Sequence, residues 1–193
     1  MKDKIQLRKE LLAKREQLPK SEKSLFDALI VERFLQSDLF LNSTTVFIYL
    51  NFRSEPETLQ LAAFMKSTGK RVCVPYIENA AEGKMTAREF LNFDSVQPGE
   101  YGILTVPSSN AEIAPADIDC AVAPGAVFDR KGNRAGYGGG FYDRFFNQLN
   151  SRCVKAAFAY DFQIIDKLNS EEHDQPVDEL FTERERYVFK ESK

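Results

Sequence analysis

The residues best suited to chemistry lie in one glycine-rich stretch, residues 124–144. Glycine occupies four of the five positions from 136 to 140, just before a predicted helix, and such a backbone can approach an anion closely. The N-terminus of that helix adds partial positive charge. The cations of the stretch are Arg130, Lys131, Arg134 and Arg144. We predict a polyphosphate-binding loop, with Asp143 in the first helical turn as a ligand of Mg²⁺.

Two familiar phosphate-binding patterns do not describe this stretch. It has no GxxxxGK[ST] sequence, so it is not a Walker A loop. It does not match the dinucleotide-binding fingerprint either, because position 141 is Phe. Composition alone leaves another interpretation open, a flexible hairpin tip whose charges are solvated.

The first predicted helix carries a second candidate phosphate contact. Lys4 and Arg8 are four residues apart and therefore share one face. The alternative is an ordinary solvated face, because Lys9, Lys14 and Arg15 are equally charged.

Two carboxylates follow the first predicted strand, at Glu55 and Glu57. Both lie at the start of a predicted helix, where capping alone explains them. The functional alternative is that one of them points into a cleft and accepts hydrogen bonds from substrate N–H groups.

Two further positions are candidates near the middle and the end of the chain. Tyr101 lies between turn residues and is predicted to stack on a flat heterocycle, unless it packs on its own surface. Asp174 is a candidate second Mg²⁺ ligand. Its neighbour His173 is the only histidine, which excludes a histidine-rich metal site and favours a surface position for this side chain.

Length and composition limit the class of protein. The 193 residues predict one domain spanning 1–193, and the net charge of −3 does not favour a nucleic-acid surface. Neither a secretion signal nor a membrane-length apolar run is found, so we expect a cytoplasmic protein without membrane partners. Cys73, Cys120 and Cys153 are widely spaced in apolar contexts, which predicts buried free thiols.

The pattern of apolar residues predicts the elements that must position these groups. Helices are predicted at 3–18, from Ser21 as N-cap, at 57–68 and at 141–149; strands at 44–50, 72–74 (stopped by Pro75), 119–123, 154–160 and 187–189. The intervals 84–93 and 94–118 are predicted as peripheral strands and a long surface excursion. Strands alternating with helices favour a three-layer α/β/α domain, Rossmann-like, with a mostly parallel sheet. Ligands of such folds bind at the carboxyl ends of strands, so segments starting at Asn51, Pro124 and Tyr160 should converge on one cleft.

Taken together, these segments resemble the 5-formyltetrahydrofolate cyclo-ligase family. The resemblance covers nearly the whole chain. It comprises Lys-x-x-x-Arg in the first helix, Glu-x-Glu-Thr after the first strand, Tyr-Gly-Ile in the middle loop, Gly-Asn-Arg-x-Gly-x-Gly-x-Gly-Phe-Tyr-Asp, and His-Asp-x-Pro-Val-Asp. The glycine-rich motif is the most specific of these.

The resemblance implies an ATP- and Mg²⁺-dependent ligase that converts 5-formyltetrahydrofolate to 5,10-methenyltetrahydrofolate. The formyl oxygen would be phosphorylated, N10 would attack, and ADP and phosphate would be released. It implies ATP contacts at Lys4, Arg8, Arg134, Gly136, Tyr137, Gly138, Gly139, Gly140, Phe141 and Tyr142. It implies folate contacts at Phe52, Glu57, Tyr101 and Phe141, metal ligands at Asp143 and Asp174, and catalytic roles for Arg134 and Glu57.

One departure from the resemblance concerns charge in the glycine loop. Some relatives carry a basic residue there, where this chain has Tyr137 and Gly139. We expect Arg130 or Arg144 to compensate. We also expect a monomer whose partners are the small molecules ATP and reduced folate. The alternatives are a sugar-phosphate isomerase or CoA transferase on a similar fold, and a non-catalytic folate- or nucleotide-binding protein.

Overall fold

The structure, a computed structural model, describes residues 3–171 and 173–190. Its helices are α1 (Lys4–Glu16), α2 (Lys20–Leu35), α3 (Asp38–Asn42), α4 (Leu59–Ser67) and α5 (Phe141–Phe146). Its strands are β1 (Thr45–Ile48), β2 (Arg71–Asn79), β3 (Lys84–Glu89), β4 (Gln97–Pro98), β5 (Leu104–Thr105), β6 (Glu112–Ile113), β7 (Cys120–Ala123), β8 (Val127–Asp129), β9 (Arg134–Ala135), β10 (Val154–Phe158), β11 (Ile164–Ile165), β12 (Glu179–Phe181) and β13 (Arg186–Val188).

The main sheet has eight strands in the order β13-β12-β10-β7-β1-β2-β3-β6. The run from β12 to β2 is parallel, and β13, β3 and β6 are antiparallel additions at the two sides. Helices α2, α3 and α4 contribute to the core on one face, and the short α5 contributes to the core on the other. The predicted three-layer α/β/α class with a mostly parallel sheet is therefore confirmed.

Strand β1 shows how the sequence divides between the two faces. Val46 and Ile48 belong to the core beneath α2 and α4, whereas Phe47 between them stacks on Phe145 of α5, with 4.5 Å between ring centroids. Successive strand residues point to opposite faces, so a continuous apolar run is what a sheet covered on both sides requires.

A second, smaller sheet has the order β11-β8-β9, and its strands β8 and β9 lie within the predicted glycine-rich stretch. The turn joining β8 to β9 is organised by the fully buried carboxylate of Asp129, which accepts hydrogen bonds from the backbone of Lys131 and Asn133. Leu7, Leu11 and Leu12 of α1 pack against this small sheet. The glycine-rich stretch, expected to be a loop before its helix, therefore contains two short strands.

Two boundary predictions were also wrong. Ser21 is not the N-cap of α2, because Pro19 occupies that position and the helix begins at Lys20. Strand β2 does not stop at Pro75 but continues to Asn79. Proline is tolerated there because the pairing of β2 with β1 ends at Cys73, and only β3 accompanies the strand further.

Three other features complete the fold. Strand β12 was not predicted; it pairs with β10 and carries the completely buried Leu180 and Phe181. The three cysteines are free and buried, as predicted. None of the helices in the described residues is long and apolar enough to cross a membrane.

Candidate active site

The main cavity has a volume of about 810 Å³ and lies where β1 and β7 end. Leu50 and Phe52 follow β1, and Pro124 follows β7, and all three line it. The convergence of these two segments was predicted. The start of the third segment does not line the cavity: Tyr160 is buried, and its hydroxyl donates a hydrogen bond to Asp27 Oδ1 at 2.7 Å. A cavity of this volume suits a small-molecule ligand.

Every predicted site residue except Glu57 lines this cavity: Lys4, Arg8, Phe52, Tyr101, Arg134, Gly136, Tyr137, Gly138, Gly139, Gly140, Phe141, Tyr142, Asp143 and Asp174. They come from α1, from the loop after β1, from the middle excursion, from the glycine loop with α5, and from the segment before β12. The sequence therefore predicted which distant segments meet.

The glycine loop, residues 136–140, is held from α1. Arg8 donates from Nε to the carbonyl oxygen of Gly136 at 2.6 Å. Gly138 and Gly140 have φ angles of +101° and +66°, which favour glycine. Within the described residues, the N–H groups of residues 137–140 donate no hydrogen bond. The loop thus presents consecutive unpaired donors to the cavity, an arrangement that suits an anion.

The partial positive charge at the N-terminus of α5 contributes less to anion binding than the sequence suggested. The helix has six residues and is capped by Gly140 without a side-chain hydrogen bond. Because a macrodipole develops over aligned peptide units, so short a helix adds little to the loop's own N–H groups.

Asp143 lies beside a buried arginine. Arg134 is 4% exposed and donates from Nη2 to Asp143 Oδ1 at 2.9 Å. The N–H of Gln175 donates to the same oxygen at 3.1 Å. The Arg134 guanidinium also lies over the rings of Tyr142 and Phe146, at 5.5 and 5.7 Å from their centroids. Its orientation is therefore fixed, and Asp143 is fixed with it.

Asp174 forms the second cation–carboxylate pair. Lys4 donates from Nζ to Asp174 Oδ2 at 2.5 Å, and the N–H of Glu171 donates to the same oxygen at 2.7 Å. Burial alone would raise the pKa of Asp174, but these two donors hold it below its ordinary value. In the described residues, hydrogen bonds reach only Oδ1 of Asp143 and only Oδ2 of Asp174. Each carboxylate thus retains one oxygen for a cation.

The two carboxylates after β1 have separate positions. Glu57 Oε1 accepts hydrogen bonds from the N–H groups of Leu59 and Gln60, at 2.9 and 3.4 Å, and so caps α4. Glu55 is 2% exposed, lines the cavity, and accepts from the N–H of Phe52 at 2.8 Å. Of the alternatives that the sequence left open, capping describes Glu57 and the cleft position describes Glu55.

Aromatic side chains supply flat surfaces at the cavity wall. Phe52, Tyr101 and Phe141 all line it, as predicted. Tyr101 is 64% exposed and has a φ angle of +57°, which is uncommon for a residue with a side chain. Arg53 lies over the Phe52 ring at 4.9 Å from its centroid. These rings are positioned to contact a planar ligand.

Comparison with known proteins decides the family. The model of the 5-formyltetrahydrofolate cyclo-ligase family matches residues 1–183. This chain belongs to the 5-formyltetrahydrofolate cyclo-ligase family. Its relatives are named as ligases, so the resemblance found in the sequence is confirmed.

Individual members of the cyclo-ligase family agree over most of the chain. A 5-formyltetrahydrofolate cyclo-ligase of Mycoplasma genitalium is 29% identical over 172 residues, 88% of this chain and 92% of that protein. One of Mycolicibacterium smegmatis is 28% identical and covers 97% of both chains. The NMR structure of 5,10-methenyltetrahydrofolate synthetase from Aquifex aeolicus superimposes with a TM-score of 0.84 at 26% identity, covering 97% of this chain and 93% of that one.

The cyclo-ligase sequence motifs did not reveal Arg15, which the charge pattern had assigned to a solvated face. It is 1% exposed and donates from Nη2 to the Tyr137 hydroxyl at 2.6 Å. Its spacing in the sequence could have indicated that it is buried. Leu7, Leu11 and Arg15 follow one another every four residues and so share the stripe of α1 that packs against the protein. An arginine on such a stripe must find hydrogen-bond acceptors inside the protein.

The two arginines expected to compensate, Arg130 and Arg144, have different positions in this family member. Arg130 forms a 3.6 Å ion pair with Asp166, and Arg144 donates to the carbonyl oxygen of Gly139 at 2.8 Å. Neither is among the residues that line the cavity. Arg144 nevertheless contacts position 139 of the loop, and Arg15 contacts the hydroxyl at position 137, so a guanidinium lies at each of the two positions.

Burial raises the pKa of Glu55, although the N–H of Phe52, the charge of Arg15 and the Tyr137 hydroxyl act in the opposite direction. The folded protein therefore holds this proton more tightly than the unfolded chain, whose glutamates titrate near about 4.3. Stability then decreases as pH rises from about 4 through the raised pKa. We expect Glu55→Gln to gain stability relative to the unaltered protein over that interval, measured by urea unfolding at pH 4 and pH 7. A difference between the two proteins that does not change with pH would contradict this.

Proposed function

We propose that the protein is an ATP-dependent ligase that converts 5-formyltetrahydrofolate to 5,10-methenyltetrahydrofolate. The observation that carries the proposal is a single cavity in which unpaired loop N–H groups, two cation–carboxylate pairs and a buried carboxylate with aromatic neighbours meet. Relatives with this name match most of the chain.

In this proposal the triphosphate of ATP is bound by the glycine loop. The N–H groups of residues 137–140 would donate to phosphate oxygens, with Arg8 holding the loop and Lys4 adding charge. Arg134 Nε is a buried donor without a partner among the described residues. An orphaned donor of this kind costs about 1–3 kcal/mol, which a ligand oxygen would offset.

Asp143 and Asp174 would hold Mg²⁺. One or two carboxylates suffice for this ion when phosphate and water oxygens complete its coordination. The described residues contain no group of three or more histidine, cysteine or acidic side chains suited to a metal, which agrees with a site completed by the nucleotide. When bound, Mg²⁺ would neutralise charge on the phosphates. Arg134 would keep Asp143 oriented toward it.

The reduced folate would occupy the part of the cavity near Glu55. The carboxylate would accept hydrogen bonds from the N–H groups of the pterin, and Phe52, Tyr101 and Phe141 would contact its planar ring. The role that the sequence assigned to Glu57 therefore passes to Glu55, two residues earlier.

The chemistry requires positioning more than a covalent catalyst. The N5-formyl oxygen is a poor leaving group, so it would attack the γ-phosphorus of ATP and release ADP. N10 would then attack the formyl carbon, the carbon–oxygen bond would break, and the phosphate would leave with the proton that N10 gives up. The chain's task is to align the two substrates and to stabilise phosphoryl charge with Lys4, Arg8 and the loop N–H groups.

The decisive experiment mixes the protein with 5-formyltetrahydrofolate and Mg-ATP and follows the near-ultraviolet absorbance of the methenyl product. The proposal expects a rise that needs both ATP and Mg²⁺. A folded protein that binds both ligands without any rise is instead a binding protein, and the proposal fails.

Asp143→Asn is expected to lower turnover by about 100-fold or more at fixed Mg²⁺, because a ligand charge is lost while the shape is kept. Glu179→Gln is the matched control. Glu179 is a buried carboxylate that does not line the cavity, and it pairs with Arg186 at an N–O distance of 2.8 Å. Steady-state rates over a Mg²⁺ titration distinguish the two variants, and equal rates would remove Asp143 from the metal site.

Glu55→Gln is expected to raise the KM for the folate by roughly 10-fold or more, the value of a hydrogen bond to a charged group. Glu57→Gln, two residues away, is expected to leave that KM unchanged and to cost only part of the α4 cap. A larger effect from Glu57 than from Glu55 would reverse the assignment.

A further inference from the structure

Arg15 joins three segments that are distant in sequence. Its Nε donates to Ser54 Oγ at 3.1 Å, its Nη1 to the carbonyl oxygen of Gly125 at 3.1 Å, and its Nη2 to the Tyr137 hydroxyl at 2.6 Å. These acceptors belong to the loop after β1, the loop after β7 and the glycine loop. With 1% exposure, the guanidinium cannot exchange them for water.

Tyr137 connects this arginine to Glu55. Its hydroxyl accepts from Arg15, which also bonds Ser54 next to Glu55, and Tyr137 and Glu55 line the same cavity. The Tyr137 hydroxyl acts to lower the pKa of Glu55, against the effect of burial. Among the described residues, no carboxylate lies within 4.0 Å of the Arg15 guanidinium. The buried Arg15 guanidinium therefore holds the phenol hydroxyl in the same cavity as the buried Glu55 carboxylate.

Tyr137 links these buried groups to the glycine loop and to the cavity. Tyr137 is 44% exposed, belongs to the loop whose N–H groups face the cavity, and itself lines the cavity. Movement of the loop therefore moves the hydroxyl relative to Arg15 and Glu55. A ligand that fixes the loop therefore also fixes the hydroxyl that Arg15 connects to the Ser54–Glu55 segment.

We propose that Arg15 and Tyr137 are positioning residues that couple the nucleotide loop to the Glu55 carboxylate, so that ATP and the reduced folate bind cooperatively. This inference rests on the proposed function. Binding of nucleotide would order the loop and set Glu55 for the pterin, and by reciprocity the folate would tighten the nucleotide by the same factor.

The test is calorimetric binding of 5-formyltetrahydrofolate with and without a non-hydrolysable ATP analogue and Mg²⁺. For the unaltered protein we expect the analogue to tighten folate binding about 10-fold, within the usual range of coupling between sites. Tyr137→Phe removes only the hydroxyl and is expected to reduce that factor to about 2-fold or less. Tyr187→Phe is the matched control, since its hydroxyl also donates to a carboxylate, Asp161, outside the cavity.

A second variant tests whether the loss of coupling in Tyr137→Phe has only a local structural cause. Arg15→Met is expected to lose the same coupling, and the double variant with Tyr137→Phe is expected to lose no more, because both act through one chain of groups. Retention of the full factor in Tyr137→Phe overturns the proposal, as does an unaltered protein that turns over without any coupling. An unaltered protein without turnover overturns the proposed function itself, whatever the binding shows.

Discussion

The structure depends on the parallel pairing of β1 with β7 on one side and β2 on the other. β1 is completely buried along most of its length, so its register cannot slip without moving Phe47 from one core to the other. Parallel neighbours end at the same edge of a sheet. That edge therefore receives the loop with Glu55 after β1 and the stretch with the glycine loop after β7.

The second requirement is that α1 be attached to the small sheet rather than to the main one. Leu7, Leu11 and Leu12 pack against β8, β9 and their neighbours, which directs Lys4, Arg8 and Arg15 toward the cavity. Sequence-distant cations thus reach the glycine loop through apolar packing. The loop itself is rich in glycine and is held from outside by three arginines, Arg8 at Gly136, Arg15 at Tyr137 and Arg144 at Gly139.

The sequence predicted the parallel core and about half of the residues that line the cavity. The core, the glycine loop and the Lys4–Arg8 pair followed from local patterns: apolar runs for strands, glycines before a helix, charges at a four-residue spacing. Other predicted lining residues, such as Phe52 and Tyr142, followed only from the family resemblance. It did not predict features that depend on partners distant in the chain. Pro75 within β2 is tolerated only because β1 has already ended. Glu55 and Glu57 have equivalent local contexts, and only the path of the backbone directs one into the cavity and the other to α4. The folding of residues 124–135 into a hairpin follows from its pairing with β11.

The position of the positive charge shows the same dependence on distant partners. Positions 137 and 139 carry no base; Arg144 donates to the carbonyl oxygen of Gly139, whereas Arg130 pairs with Asp166. Arg15, which is 122 residues before Tyr137 in the sequence, donates to the Tyr137 hydroxyl from the protein interior. A guanidinium buried behind a phenol is held more rigidly than one on a glycine-rich loop, and it is less able to follow a phosphate during the reaction. In the proposed reaction Lys4 and Arg8 at the cavity surface would therefore follow the phosphates, while Arg15 and Arg134 would remain fixed and orient the acidic groups.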